Sequence, residues 1–382
     1  MNDDQLLTEH SRQLAHEIFL KGVAALQIGQ LTSAQHYYRE ALQHDPFHSE
    51  AIHHLGIIEA EFANFQNAKE LITKALEINP SNGVALKNRG LTKQNLNDFT
   101  GALSDFLEAK KFIQSDPELD YNCGSAYLGL HEYEKALVYF ERLIQQGYVT
   151  ELILNDLANA LHECGRTEEA LQSYDRAIAM NPSYSDARYN KGLLLQSENR
   201  IQEAIVEFRK TIEIDPGFIE AYNNLGIIYE KLFDFHKALE VLKKAVELNP
   251  EYVEAHANLG NVYASLKETD KAIQCYDRAI SLKKEVFQLY NNRANALSEL
   301  DRLQEALNDY DKAIELNPNY VDAHSNKALT LHEMKMPEEA LESYQKALLL
   351  KPNYEYLFGL RLHTKMIICD WREYEQDLAE LA

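Results

Sequence analysis

Asparagine recurs along this chain at a fixed interval of 34 residues, at Asn88, Asn122, Asn190, Asn224, Asn258, Asn292 and Asn326. The run from Asn190 to Asn326 is unbroken, and Asn261 and Asn295, three residues after two of its members, extend the same row. An asparagine amide carries both donor and acceptor, so such a row can pair with the N–H and C=O of a bound polypeptide without reading its side chains. Its other use is internal: the amides can bond to a neighbouring helix or to water and set the angle between units. Both uses stand open on the residues alone. Acids flank the row. Glu118, Asp186, Glu220, Glu254 and Asp322 precede its members by four residues, and Glu299 and Glu333 follow by seven; Glu50, Glu61 and Glu163 keep the same phase beside His54 and Asp156. The first set suits helix N-termini electrostatically; the second has no such local reason. Amide rungs with acidic edges predict partners that are extended protein or peptide segments, basic or Ser/Thr-rich.

Other chemistry is sparse. Seven of the 14 histidines, His10, His16, His36, His44, His48, His53 and His54, lie in the first 54 residues. Glu50, His53 and His54 share a helical face at i, i+3 and i+4, a spacing that can hold a divalent metal, although a polar lining is the commoner meaning of such a trio. No glycine-rich phosphate loop, HExxH or paired-carboxylate signature occurs outside helical faces. The expectation is therefore a non-enzyme with no cofactor and no metal. Sixty Asp+Glu against 38 Lys+Arg give a net charge of −22, which argues against nucleic acid and anionic membrane as partners. No apolar run approaches the ~18–20 residues of a membrane span, and the acidic start lacks the pattern of a signal peptide. Cys123, Cys164, Cys275 and Cys369 are scattered without framework spacing, as in a reduced, cytoplasmic protein.

The elements that must position the asparagines also keep the 34-residue beat. Alanine falls at Ala34, Ala68, Ala102, Ala136, Ala170, Ala204, Ala238, Ala272, Ala306 and Ala340. Glycine or alanine lies twelve residues earlier in each case, and an aromatic usually follows four residues later. A further alanine comes seven residues on, except at Leu143 and Thr211. Small side chains let two antiparallel helices approach, and Asn-Pro or Asp-Pro, as at Asn249-Pro250, closes the second helix. This pattern resembles the tetratricopeptide repeat, a helix–turn–helix unit of about 34 residues. The resemblance implies an all-α fold: a right-handed superhelical α-solenoid of about ten tandem units over residues 15–354, concave along the first helix of each unit. Residues 1–14 are expected as a helical extension and 355–382 as a capping and junction helix pair. With position 1 at Ala15 and the fixed alanine at position 20, the asparagines take positions 6 and 9. Helices about 8–10 Å apart would offer an amide to roughly every third residue of an extended peptide. Three junctions depart from the pattern, with Gln114, Tyr148 and Lys284 where proline is usual.

The dicarboxylate clamp known from this repeat is missing, since Lys87 is followed by Leu91 where asparagine is needed. After the last repeat, Cys369-Asp370-Trp371 and the aromatic Tyr374 resemble the junction of O-GlcNAc-transferase-like proteins (glycosyltransferase family 41, SPINDLY-type and bacterial members). The segment from Pro46 to Gly56 is similar to the bacterial members. That resemblance implies an acceptor-recognition arm, with asparagines holding acceptor backbone and a catalytic domain beyond residue 382. The alternative is a free-standing cytoplasmic adaptor in which residues 369–374 only cap the array. Trp371–Leu381 is expected as a helix, with apolar Leu378 and Leu381 unlike the polar cap of a free end.

Overall fold

The computed structural model describes residues 3–352 and 355–372, which contain 21 helices and no strand. Two compact bodies divide them after Leu194. The N-terminal body holds the pairs Asp3–Gln27/Leu31–His44, Ser49–Glu61/Phe65–Ile78, Gly83–Asn95/Phe99–Ala109, Pro117–Gly129/Tyr133–Gln145 and Glu151–Glu163/Thr167–Met180, then most of Ser185–Ser197. The C-terminal body begins with Ile201–Ile214. It continues through Ile219–Lys231/Phe235–Leu248, Val253–Ser265/Thr269–Leu282, Phe287–Glu299/Leu303–Leu316 and Val321–Glu333/Pro337–Leu350 to Glu355–Ile367. Consecutive helices pack on one another from Asp3–Gln27 to Thr167–Met180 and from Ile201–Ile214 to Glu355–Ile367, and the first helices of several successive repeats also touch. Those first helices therefore share one face. The fold is an all-α helical solenoid.

The recurring residues account for the packing. All ten alanines at position 20 are fully buried. The position-24 side chain lies against the small residue at position 8 of its own repeat, and Tyr38 also meets the His54 ring of the next repeat at 5.3 Å. A Cβ on Gly90 would fall 2.4 Å from the Phe106 ring, and one on Gly260 would fall 2.6 Å from Tyr276. Thr211, an exception at position 27, is buried because its hydroxyl donates to the Glu207 carbonyl one turn back, at 2.9 Å.

The turns follow rules that the sequence only half displays. Position 15 is left-handed in every repeat, from Gly29 (φ 74°) to Phe233 (φ 58°) and Lys335 (φ 60°), the conformation that ends helices through a C′ residue. Between repeats, Asn181, Asp215, Asn249 and Asn317 leave the helix in extended conformation, and their side chains accept the N–H two residues on. This turn chemistry adds to the proline effect. Repeat 8 keeps the geometry without the asparagine: Lys283 (φ −144°, ψ 104°) repeats the torsions of Asn249 (φ −137°, ψ 98°). The other two departures are genuine. Phe99–Ala109 stops early and Asp116 caps the next helix ahead of Pro117, while Gly147 (φ 87°) breaks the chain after Tyr133–Gln145. Trp371 and Arg372 are not helical, and residues 373–381 of the helix expected there lie outside the described residues.

Candidate ligand-binding face

The asparagine row lies on the face built by the first helices, half-buried except for Asn122, which is buried, and Asn295, which is exposed. Its amides are joined from repeat to repeat, with Nδ2 at position 6 donating back to position 5 or 9 of the preceding repeat. Asn190 donates to Asn155 at 3.0 Å, Asn258 to Asn223 at 2.9 Å and Asn292 to Asn261 at 3.1 Å. Asn326 donates to both Asn291 (3.2 Å) and Asn295 (3.0 Å). Asn88 Nδ2 lies 3.0 Å from His53 Nε2. Asn122 Nδ2 is buried without a partner among the described residues. Of the two uses expected of the row, bonding between neighbouring helices is present at these joints. The N–H end is engaged between repeats, whereas the Oδ1 atoms of Asn88, Asn190, Asn258 and Asn326 receive no donor from the described residues. An amide in this state keeps an open Oδ1 and, where Nδ2 makes a single bond as in Asn190 and Asn258, a second N–H; Asn326 spends both of its N–H donors.

Asn261 and Asn295 at position 9 have a second duty. They accept from the buried phenols Tyr276 (2.9 Å) and Tyr310 (2.7 Å) of their own repeats. Asn159, which the sequence pattern did not single out, accepts likewise from Tyr174. Where position 9 is apolar, as at Val23 and Leu329, the hydroxyls of Tyr38 and Tyr344 are buried with no partner among the described residues. The sequence signal for these bonds is a tyrosine at position 24 together with an asparagine at position 9 of the same repeat. Position 5 carries the other functional amides that spacing missed. Asn155, Asn223 and Asn291 are buried and hold the amides that spacing singled out.

One joint runs the other way. Asp156 replaces asparagine at position 6 of repeat 5, and a carboxylate cannot donate. Tyr121 therefore donates to it across the repeat boundary at 2.7 Å, and Asn155 Nδ2 adds a bond of 3.1 Å. Burial raises the Asp156 carboxyl above the usual carboxylate range, against these two bonds that lower it. Burial, then the Asp156 charge, pushes the Tyr121 phenol up as well.

Two lysines at this face are engaged by acids. Lys87, the lysine at position 5, is bridged by Asp116 (3.1 Å) and Glu118 (2.9 Å), and Lys267 holds Glu299 at 2.8 Å. Two recesses open at equivalent places, one in each body. The first, of about 450 Å³, is walled by Leu128, Tyr133, Asn159, His162, Glu163 and Asn190 among others. The second, of about 250 Å³, includes Asn295, Ser298, Glu299, Asn326 and Glu333.

The histidine-rich start is arranged differently from the expectation. Glu50, His53 and His54 do not converge. His53 is buried against Asn88, and burial, with help from His54, lowers it to about 4. His54 Nδ1 bonds the Glu50 carbonyl at 2.8 Å. The groups that converge are His16, His48 and Glu50, within 4.8 Å of one another. His48 caps the helix Ser49–Glu61 by accepting the Ala51 N–H on Nδ1. Neutral His48 then carries its proton on Nε2, facing His16 Nδ1 at 3.4 Å. That tautomer makes a hydrogen-bonded pair, and a metal on Nε2 would have to displace its proton from His16.

Among the described residues no helix is long and apolar enough to cross a membrane. Tetratricopeptide-repeat family models match residues 19–83, 218–285, 287–320 and 321–354, and a TPR-repeat model matches 158–198 and 197–232. A peroxisomal targeting signal receptor of Kluyveromyces lactis is 26% identical over 226 residues, covering 50% of this chain and 39% of the receptor. A probable SPINDLY N-acetylglucosaminyltransferase of Hordeum vulgare is 26% identical over 161 residues, covering 40% of this chain and 17% of that protein. The chain thus spans well under half the length of these curated relatives. Among solved structures, the APC/C hetero-tetramer Cut9–Hcn1 covers 92% of this chain and 90% of its own at 14% identity with a TM-score of 0.53. The C-terminal part of a TPR protein from Cytophaga hutchinsonii covers 63% of this chain and 98% of its own at 18% identity and a TM-score of 0.51; at such identities the likeness is one of fold. Period, packing of small residues on large ones, left-handed turns and family matches converge: this chain is a tetratricopeptide-repeat protein.

Proposed function

We propose that the chain is a protein–protein interaction scaffold holding an extended polypeptide along the face of its first helices. The observation that carries this reading is the asparagine row, whose members Asn190, Asn258 and Asn326 are held between repeats through Nδ2 and keep Oδ1 open to N–H groups of a ligand. The likeness to a receptor for targeting signals supports a polypeptide ligand. In the finer reading, the scaffold is the acceptor-selecting arm of an O-GlcNAc-transferase-like system, supported by the Cys369-Asp370-Trp371 junction and the SPINDLY likeness. No catalytic domain is evident among the described residues, so the arm reading assigns bond-making to a separate domain.

The test is retention of an immobilised library of extended peptides of about 12 residues, about 40 Å long. Asn224→Ala, Asn258→Ala and Asn292→Ala together should abolish retention at a temperature where circular dichroism shows intact helices. Full retention by that folded variant would refute the row as a binding surface. Sequencing past codon 382 tests the finer reading. Two nucleotide-sugar lobes there support the arm, and an immediate stop codon with a stable monomer supports a free-standing adaptor.

A further inference from the structure

The larger recess of the N-terminal body shows what kind of side chain such a segment would bring. Its wall is mixed. Leu128, Leu193 and Leu194 supply apolar surface, while Glu163, Asn190 and His162 supply acceptors. Glu163 takes a hydrogen bond from Tyr133 and stays exposed. Asn190 is held by one Nδ2 hydrogen bond to Asn155 and keeps Oδ1 open. His162 has a buried Nδ1 with no hydrogen-bond partner among the described residues. Asp156 lies one turn before Asn159 on the same helix, its carboxyl buried and held by Tyr121 and Asn155. No lysine or arginine is among the described residues that line the recess, and about 450 Å³ is within the range of small-ligand pockets. The surroundings thus present unmatched acceptors, negative charge and an apolar flank. A long cation with a methylene stem satisfies all three, because such side chains lay the stem on apolar surface and keep the charged head polar-bound.

We infer that this recess receives an arginine side chain of the bound segment. Arginine is favoured over lysine by the acceptors' distribution over three residues, which suits a planar fork with several donors better than a point charge. The Tyr133 ring on the same wall offers a surface on which a guanidinium stacks. This assignment rests on the scaffold reading above and adds a side-chain preference to it.

Peptide pools identical except for one fixed residue provide the test: arginine, lysine, citrulline or glutamate in otherwise degenerate extended peptides. Citrulline keeps arginine's shape and removes its charge. Wild-type protein should retain the arginine pool about tenfold better than the citrulline pool, with lysine between them. Glu163→Gln, alone and with Asp156→Asn, should bring arginine down to the citrulline level and leave citrulline unchanged. Leu193→Trp, which fills the recess from an exposed position, should do the same. Equal retention of arginine and citrulline by wild type overturns the inference while leaving the scaffold reading intact, and equal retention of lysine and arginine overturns the choice of arginine. If no pool is retained, the scaffold reading falls first and this inference with it.

Discussion

The two bodies join their repeats with different chemistry at the same positions. In the C-terminal body the joints are amide to amide: Asn258 to Asn223, Asn292 to Asn261, and Asn326 to Asn291 and Asn295. In the N-terminal body two equivalent joints contain groups that titrate, His53 facing Asn88 and Tyr121 donating to Asp156. An amide joint is indifferent to pH and leaves a neutral acceptor outside. A carboxylate joint needs a hydroxyl donor from its neighbour and leaves negative charge near the face. One geometry thus yields amide joints in both bodies, Asn190 to Asn155 among them, and adds titrating joints in the N-terminal body through changes at positions 5 and 6.

The largest expected break between the bodies comes from acid. His53 is held neutral in the fold at about 4 against an unfolded value near 6.5, so the unfolded chain binds the extra proton first. Stability is lost as pH falls below 6.5 and the loss levels off below about 4, amounting to about 3 kcal/mol. Hydrogen exchange should therefore show the helices around residues 49–95 opening between those pH values relative to His53→Gln, with the C-terminal body unaffected by that substitution. Equal acid sensitivity in both proteins would remove His53 as the cause.

Next in size is the reversed joint. Tyr121→Phe strips a donor from a buried carboxylate and should cost about 2 kcal/mol in denaturant unfolding. Asp156→Asn probes the same place with the opposite sign. Because burial raises the Asp156 carboxyl, the wild type is best placed with that group protonated, and it loses this contribution as pH rises through the folded value. The variant should therefore gain on wild type toward neutral pH and lose the advantage in acid. Asn223→Ala in an amide joint should cost only about 1 kcal/mol, since half-buried Asn258 can turn its donor to water.

Much of the fold was legible because packing acts at one position in every repeat. Alanine at 20 and a small residue at 8 are required wherever two helices cross, so they return in phase. The joints were not legible in this way. Several link position 6 of one repeat to position 5 of the preceding one, 35 residues away, and position 5 varies among Asn, Tyr, His, Lys, Phe, Ala and Ser. Comparing like positions cannot show a bond between unlike ones. The grouping of Glu50 with His53 and His54 failed for a related reason. Helical spacing ignored the turn that carries His48 to His16 and the next repeat that takes His53. Turn position 15 was hidden too, since Phe233 and Lys335 adopt a left-handed φ that glycine and asparagine usually advertise.

The smallest effects test whether phenols at position 24 are joints or only filling. Tyr310 and Tyr38 are both buried rings on the small residue of their repeat, but Tyr310 donates to Asn295 and Tyr38 has no partner among the described residues. Burial pushes the Tyr38 phenol up to about 12 with no hydrogen bond to offset it. Removing a satisfied hydroxyl loses a net hydrogen bond, so Tyr310→Phe should destabilise by about 0.5–1 kcal/mol; removing an orphaned one relieves desolvation, so Tyr38→Phe should stabilise by about 0.5 kcal/mol. Opposite signs from the same chemical change in denaturant melts would show that position 9 decides what the ring at 24 contributes. Equal losses at both sites would mean that Tyr38 finds a partner after all, and that the N-terminal body closes its first repeat through a contact equivalent to Asn295.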